Sequence, residues 1–253
     1  MQDYQEIFGS RGGRYDRAMR RCPDARDAEF GLVLAPLRLR QGERIADIPA
    51  GGAYLADRVP AGVHLYPVEE VATFGEGGLG AKGDGILRAP MHSIPLPDQF
   101  LDAIVSLAGL HHTKDKRRFF SEAFRLLRPD GRLVICDVAV HSPQARFLNE
   151  FVHRHNPEGH EGVFLDDKTS AQVYEAGFRL IEDAWHPCDW NFPDRQEMVA
   201  FCTDLFGLGA APAEVERGLW EYLSVDDMRS GCRLRWGLRR IVAERPGVGL
   251  DWR

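Results

Sequence analysis

The sequence predicts an α/β fold: a doubly wound, mostly parallel sheet of about seven strands, with helices on both faces and a helical cap. Three observations support that expectation. The runs "LDAIVSLAG" (101–109) and "RLVICDVAV" (132–140) have the continuous hydrophobicity of strands buried on both faces. They alternate with helical periodicity, clearest in "KDKRRFFSEAFRLLRPDG" (114–131), and such alternation implies parallel pairing through crossovers. A chain of 253 residues, 44% hydrophobic and 28% charged, is long enough to enclose a substantial core.

Each element follows from local pattern. Residues 14–40 read as helical, broken at "CPD" and "APL" and ending in a basic stretch before Gly42. "ERIADI" (43–48) is a short buried strand that runs into a turn of small residues, and "AYLADRV" is a short helix stopped by Pro60 and Gly62. "GVHLYPVE" (62–69) is a second strand ended by Pro67, which has no amide for a ladder. Six glycines in the eleven positions 75–85 predict a loop, and "ILRAP" (86–90) a third short strand. Helix 114–131 places Phe119, Phe120, Ala123, Phe124 and Leu127 on one face and closes at Pro129-Asp130-Gly131. Two more strands are expected at "GFRLIEDAW" (177–185) and "RWGLRRIVAER" (235–245), with two helices between them. The expected organisation is one domain over 1–253. N-terminal helices occupy 1–42, the core 43–185, an inserted helical cap 186–234, and the last strand and tail 235–253.

Composition excludes several function classes. A formal charge of −6 leaves no electrostatic footprint for nucleic acid or an anionic membrane. The basic runs "RGGRYDRAMRR" and "RLRWGLRR" read as solvated faces. Cys22, Cys136, Cys188, Cys202 and Cys232 are scattered and form no C-x-x-C pair, which argues against a disulfide framework or zinc ribbon. No signal peptide or long apolar span is read, so a cytoplasmic protein is expected.

The string "IADIPAGGA" (45–53) ends a buried strand on Asp47 and then breaks into small residues, as chains do where backbone must approach a ligand closely. Together with "IPLPDQFLDAIVSLAGLHHTKDKRRFFSEAFRLLRPDGRLVICDV" (94–138), it resembles the class I S-adenosylmethionine-dependent methyltransferases. That family shows a Leu-Pro-hydrophobic-Pro-Asp turn, a hydrophobic strand ending in Leu-His-His, a helix, and then Arg-hydrophobic-Leu-Arg/Lys-Pro-Gly-Gly. The likeness covers about residues 43–140 well and implies a Rossmann-like core with S-adenosyl-L-methionine as cofactor.

The resemblance also implies cofactor-binding positions. Asp47 matches the acid that ends the first strand, and Gly51 the central glycine of a Gly-x-Gly-x-Gly loop. Pro49 and Ala53 replace the outer glycines, Ala50 lies between, and Gly52 adds one. Glu69 takes the place of the acid that grips both ribose hydroxyls. No acid follows the third strand, where Met91 and His92 would meet the adenine. Leu107 ends the fourth strand, and Tyr15 resembles an N-terminal tyrosine that folds over the cofactor.

Methyl transfer from a sulfonium needs alignment and exclusion of water more than a fixed catalytic dyad. His111 and His112 follow the fourth strand at the carboxyl edge of the sheet, where ligands bind, and either position could hold an acceptor-site base or orienter. They could equally pack the turn. His153, His155 and His160 in "FVHRHNPEGHEGVF" suggest a polar lining for a substrate. Their spacing matches no established ligand pattern, so no metal is expected. The function expected is methylation of a small-molecule acceptor. The alternative is a methyltransferase-like protein that has lost conventional cofactor binding and serves as a ligand-binding or partner protein, or catalyses another reaction. A nicotinamide oxidoreductase stands third, because the acid-after-strand logic suits it as well.

Overall fold

The computed structural model describes residues 4–74 and 85–247, with side chains described from residue 12. The N-terminal segment forms α1 (Tyr4–Arg21) and α2 (Asp27–Leu34). The core then runs β1 (Arg44–Asp47), β2 (His64–Pro67), β3 (Leu101–Leu107), α3 (Lys116–Leu126) and β4 (Leu127–Asp137). Helix α4 (Pro143–Arg146) continues through a π-turn (Phe147–Val152) into α5 (His153–His155), followed by α6 (Thr169–Glu175) and β5 (Arg179–Pro187). Strand β6 (Trp190–Phe192), helices α7 (Arg195–Leu205) and α8 (Pro212–Tyr222), β7 (Val225–Asp227), β8 (Cys232–Leu234) and β9 (Gly237–Glu244) complete the described chain.

Six strands form the main sheet in the order β2-β1-β3-β4-β9-β5. The pairs β2–β1, β1–β3 and β3–β4 are parallel, while β9 runs antiparallel to both β4 and β5. Both faces are buried, as the apolar runs require. Ile45, Ala103, Val105, Val134 and Cys136 point into one core; Ala46, Ile104, Leu133 and Ile135 point into the other. Helix α3 covers the second face with Phe119 and Phe120, each fully buried and contributing roughly 1.5–3 kcal/mol.

Two expectations are corrected here. "ILRAP" is not a strand: it is reduced to one bridge, Leu87 to Val68, so the sheet has six strands rather than about seven. Pro90 stands just beyond it, and Arg88 turns aside to donate to the carbonyls of Val71 and Phe74. Helix α3 stops at Leu126 rather than continuing to 131, since Pro129 forces the preceding backbone toward extended geometry.

The segment after β5 is a mixed cap rather than a helical one, because β6, β8 and β7 form a small antiparallel sheet beside α7 and α8. Helix α1 packs along α7, where Arg17 pairs with Asp204 and Arg21 with Glu197. The two N-terminal helices and the cap thus roof the carboxyl edge of β1, β3 and β4. Of the glycine-rich loop 75–85, residues 75–84 lie outside the described residues, as does the tail 248–253. No described helix is long and apolar enough to cross a membrane.

Candidate functional site

Two adjoining cavities open at the carboxyl edge of the sheet. Tyr15, Arg26 and Ala108 line both.

The first chamber is built on the turn after β1. Asp47, Pro49, Ala50 and Gly51 form its floor, Leu107 and Gly109 one side, and Tyr54 and Phe74 another. Gly51 has φ +54°, a conformation that suits a residue without Cβ. Gly109 is required by contact: a Cβ there would lie 2.3 Å from Pro49 Cγ. Gly52 does not line the chamber, since its bare Cα accommodates the Tyr54 ring, 2.5 Å from where a Cβ would stand. Tyr15 stacks on Tyr54 with centroids 5.7 Å apart and meets Phe74 edge-on at 5.6 Å.

Glu69 is fully buried, and its carboxylate faces the turn itself. Oε2 accepts from the Gly51 amide and Oε1 from the Val71 amide, each at 2.8 Å. Met91 lies in the apolar core and His92 half-buried on the following turn, neither lining either chamber. Asp47 does face the first chamber. Burial, and then the neighbouring Glu69 charge, push its carboxyl up to about 8.

The second chamber lies under the cap. Leu148, Leu205, Phe206, Trp190 and Trp236 give it apolar walls, while His111, His112 and His160 form a polar corner. The start of α2 closes it with the buried pair Arg26, just before the helix, and Glu29 within it; Arg26 Nε donates to Glu29 Oε2 and Nη1 to the Tyr15 hydroxyl. Glu29 Oε1 and the indole nitrogens of Trp190 and Trp236 are buried together here, and the two indole N–H groups help to hold the Glu29 carboxyl down against its burial.

His111 and His112 sit on the turn after β3, and His160 on the segment after α5. Asp137, at the end of β4, holds His111 twice: Oδ1 lies 2.7 Å from Nδ1, and Oδ2 accepts from the backbone amide at 3.1 Å. Burial alone would raise the Asp137 carboxyl, but His111 and the Val138 amide outweigh it and hold it low. His153 and His155 stand outside both chambers. His153 Nδ1 lies 2.9 Å from the His160 carbonyl, and His155 packs on Phe151 near Glu214.

Sequence reasoning missed Arg26, Glu29, Asp137 and Trp236, whereas Trp190 and Phe206 were among the cap aromatics read as core or as facing an apolar acceptor. Asp137 carried a readable signal, since it is an acid at the carboxyl end of a buried strand, as Asp47 is.

Comparison with known proteins agrees with this geometry. A "Methyltransferase domain" family model matches residues 69–135. An uncharacterized methyltransferase of Bacillus subtilis, YcgJ, is 26% identical over 209 residues, 79% of this chain and 78% of its own length. A demethylmenaquinone methyltransferase of Thermobifida fusca is 27% identical over 54% of this chain and 61% of its own. The crystal structure of YcgJ superimposes with a TM-score of 0.61 at 18% identity, covering 87% of this chain and 99% of that one. Fold and site define a class I methyltransferase-type protein. The family-model match, the relatives and the fold together support an enzyme of the class I S-adenosylmethionine-dependent methyltransferase kind, whose cofactor is S-adenosylmethionine.

The first chamber suits the cationic methionyl end of that cofactor. A buried carboxyl beside a second acid favours a ligand bearing positive charge, and the small residues of 49–51 let it approach the backbone. Pro49 removes one donor but leaves the turn closed by the Ala50 amide, which donates to the Val68 carbonyl.

A pH effect follows from Asp47. Its folded pKa of about 8 exceeds the unfolded value of about 3.9, so the ligand-free protein holds an extra proton at neutral pH. Stability contributed by that proton declines as pH rises from about 4 toward 8. A bound cation reverses the shift, so cofactor binding near pH 6.5 is expected to release close to one proton. Calorimetric titration in buffers of different ionisation enthalpy measures it, and Asp47→Asn should abolish it. Buffer-independent heats in the wild type would rule the assignment out.

Proposed function

We propose that the protein methylates a small, largely apolar molecule bound in the second chamber, with its methyl-accepting atom held at His111 and His112. The observation that carries this reading is the shared wall of the two chambers at Tyr15, Arg26 and Ala108. A donor in one cavity and an acceptor in the other would meet there, away from water. The cofactor supplies an electrophilic methyl group on a sulfonium; the chain's residues bind, orient and desolvate the acceptor.

The chamber walls favour an acceptor with aromatic or branched apolar bulk, and the histidine corner favours a single polar atom. Demethylmenaquinone, the molecule named for the Thermobifida fusca relative, is an acceptor of that general kind. The Asp137 carboxylate fixes the His111 ring so that its other nitrogen is available toward the chamber.

The test is a mass-spectrometric screen of phenols, quinols and hydroxylated polyketides with purified protein and S-adenosylmethionine. A methylated product is expected, with kcat/KM reduced roughly 100-fold or more in His111→Ala while cofactor affinity stays unchanged. Full activity in that variant would remove His111 from the acceptor site. Methylation confined to protein or nucleic acid would overturn the small-molecule reading.

A further inference from the structure

The second chamber has a feature that acceptor binding alone does not require. One ring nitrogen from each of His111, His112 and His160 lies within 4.8 Å of the others. The ring centroids are 4.1, 5.4 and 5.6 Å apart. We propose that these three histidines form a binding site for a divalent transition-metal ion of the zinc class, with an open coordination position facing the acceptor chamber. The inference rests on the proposed function for what fills that open position, but not for the ion itself.

Geometry comes first. A four-coordinate zinc ion holds its nitrogen ligands at about 2.0–2.1 Å, which sets them roughly 3.4 Å from one another. The observed ligand atoms, within 4.8 Å of one another, would have to draw together to that separation around an ion. Two of the rings stand on the tight turn that ends β3, and the third is delivered by the segment after α5.

The outer contacts point the same way. Metal-binding histidines generally donate their second ring N–H to a carboxylate or carbonyl, which fixes tautomer and ring direction. Asp137 Oδ1 lies 2.7 Å from His111 Nδ1, and Asn149 Oδ1 lies 3.0 Å from His160 Nδ1. Both contacts engage Nδ1, so Nε2 is the atom that each ring would present to an ion. Asn149 also accepts from the Gly162 amide at 2.8 Å, tying the His160 segment to the helix that carries Asn149.

The ligand set selects the ion. Three imidazoles without a thiolate or a direct carboxylate suit Zn²⁺, Co²⁺, Ni²⁺ or Cu²⁺ and are poor ligands for Mg²⁺ or Ca²⁺. Three protein ligands with a fourth position open is the pattern of catalytic rather than structural zinc. All three histidines line the apolar second chamber, so the open position faces the acceptor. The acceptor class follows: a molecule with an ionisable oxygen, such as a phenol or an enol, bound as its anion. Its proton leaves to solvent, and the ion neutralises the negative charge left behind.

The test uses full-length protein stripped with a chelator and titrated with Zn²⁺ or Co²⁺ alone. One ion per chain is expected, with the visible bands of four- or five-coordinate cobalt. His111→Ala and His160→Ala should each weaken binding about 100-fold, and Asn149→Ala about 10-fold. Thermal unfolding of each variant separates a lost ligand from a lost fold, and half-buried His92→Ala serves as the unaffected control. Absence of stoichiometric binding, or binding unchanged in His160→Ala, would overturn the site. Undiminished methyl transfer by metal-free protein would overturn the ion's role at the acceptor while leaving the proposed reaction intact. Stoichiometric cobalt with no acceptor methylated would establish the site and fail the proposed reaction instead.

Discussion

Arg26→Ala is expected to destabilise the protein by about 3–5 kcal/mol, the usual consequence of removing one partner from a buried ion pair. Side-chain exposure is 5% for Arg26 and 0% for Glu29, so water cannot replace the lost guanidinium. The guanidinium also lies over the rings of Tyr15, Phe30 and Trp190 at 5.9, 5.8 and 5.3 Å, adding cation–π contact to the loss.

The effect has a pH signature. Burial raises the Glu29 carboxyl even with Arg26 beside it, and the charge and hydrogen bond of Arg26 are the main opposing influence. Without Arg26 the folded state holds the Glu29 proton more tightly still. Since the folded pKa then stands further above the unfolded one, stability falls as pH rises between the two. Denaturant unfolding at pH 5 and at pH 8 should therefore show the larger deficit at pH 8. Glu29→Gln in the same background should recover part of it. An equal deficit at both values would mean that the pair contributes through packing rather than charge. Should Arg26→Ala fail to fold, the double substitution Arg26→Met with Glu29→Met retains the volume without the charges and is expected to fold.

That pair also marks where the sequence stops being informative. The parallel core was legible because burial on both faces leaves continuous apolar runs, and β3 and β4 fall where those runs lie. Arg26 and Glu29 read instead as the polar start of a short helix. Their burial arises from Trp190 and Trp236, which are delivered more than 160 residues later by the cap. The histidine corner was hidden for the same reason. His111 and His112 were visible as a pair, and nothing local says that His160 returns to meet them while His153 and His155 do not. Spacing arguments favour ligands on one helix or one loop, and this cluster spans two distant segments. The turn after β1 was legible as a ligand loop through its small residues, but what holds its shape was not.

Glu69 holds that shape. Glu69→Ala removes the acceptor of two amide donors, part-buried Gly51 and buried Val71. Charge-assisted bonds contribute roughly 1.5–3 kcal/mol each, so about 3–6 kcal/mol is at stake, less the relief of repulsion with Asp47. Glu69→Gln keeps one carbonyl acceptor and should lose about half as much. In a protein of this size 1 kcal/mol corresponds to about 2–4 °C, so the alanine variant should melt several degrees lower before any ligand is added. The family resemblance implies a different role, a carboxylate that grips ribose hydroxyls. A clamp of that kind would leave the ligand-free protein as stable as wild type and weaken only cofactor affinity. A brace lowers stability first and affinity in consequence, because the turn that approaches the ligand is no longer held. The charge next door supplies a second readout: Glu69 helps raise the Asp47 carboxyl, so Glu69→Gln should bring that group back toward the ordinary carboxylate range. Proton release on cofactor binding near neutral pH should then shrink. Unchanged melting with affinity lost, and proton release intact, would make Glu69 a clamp after all.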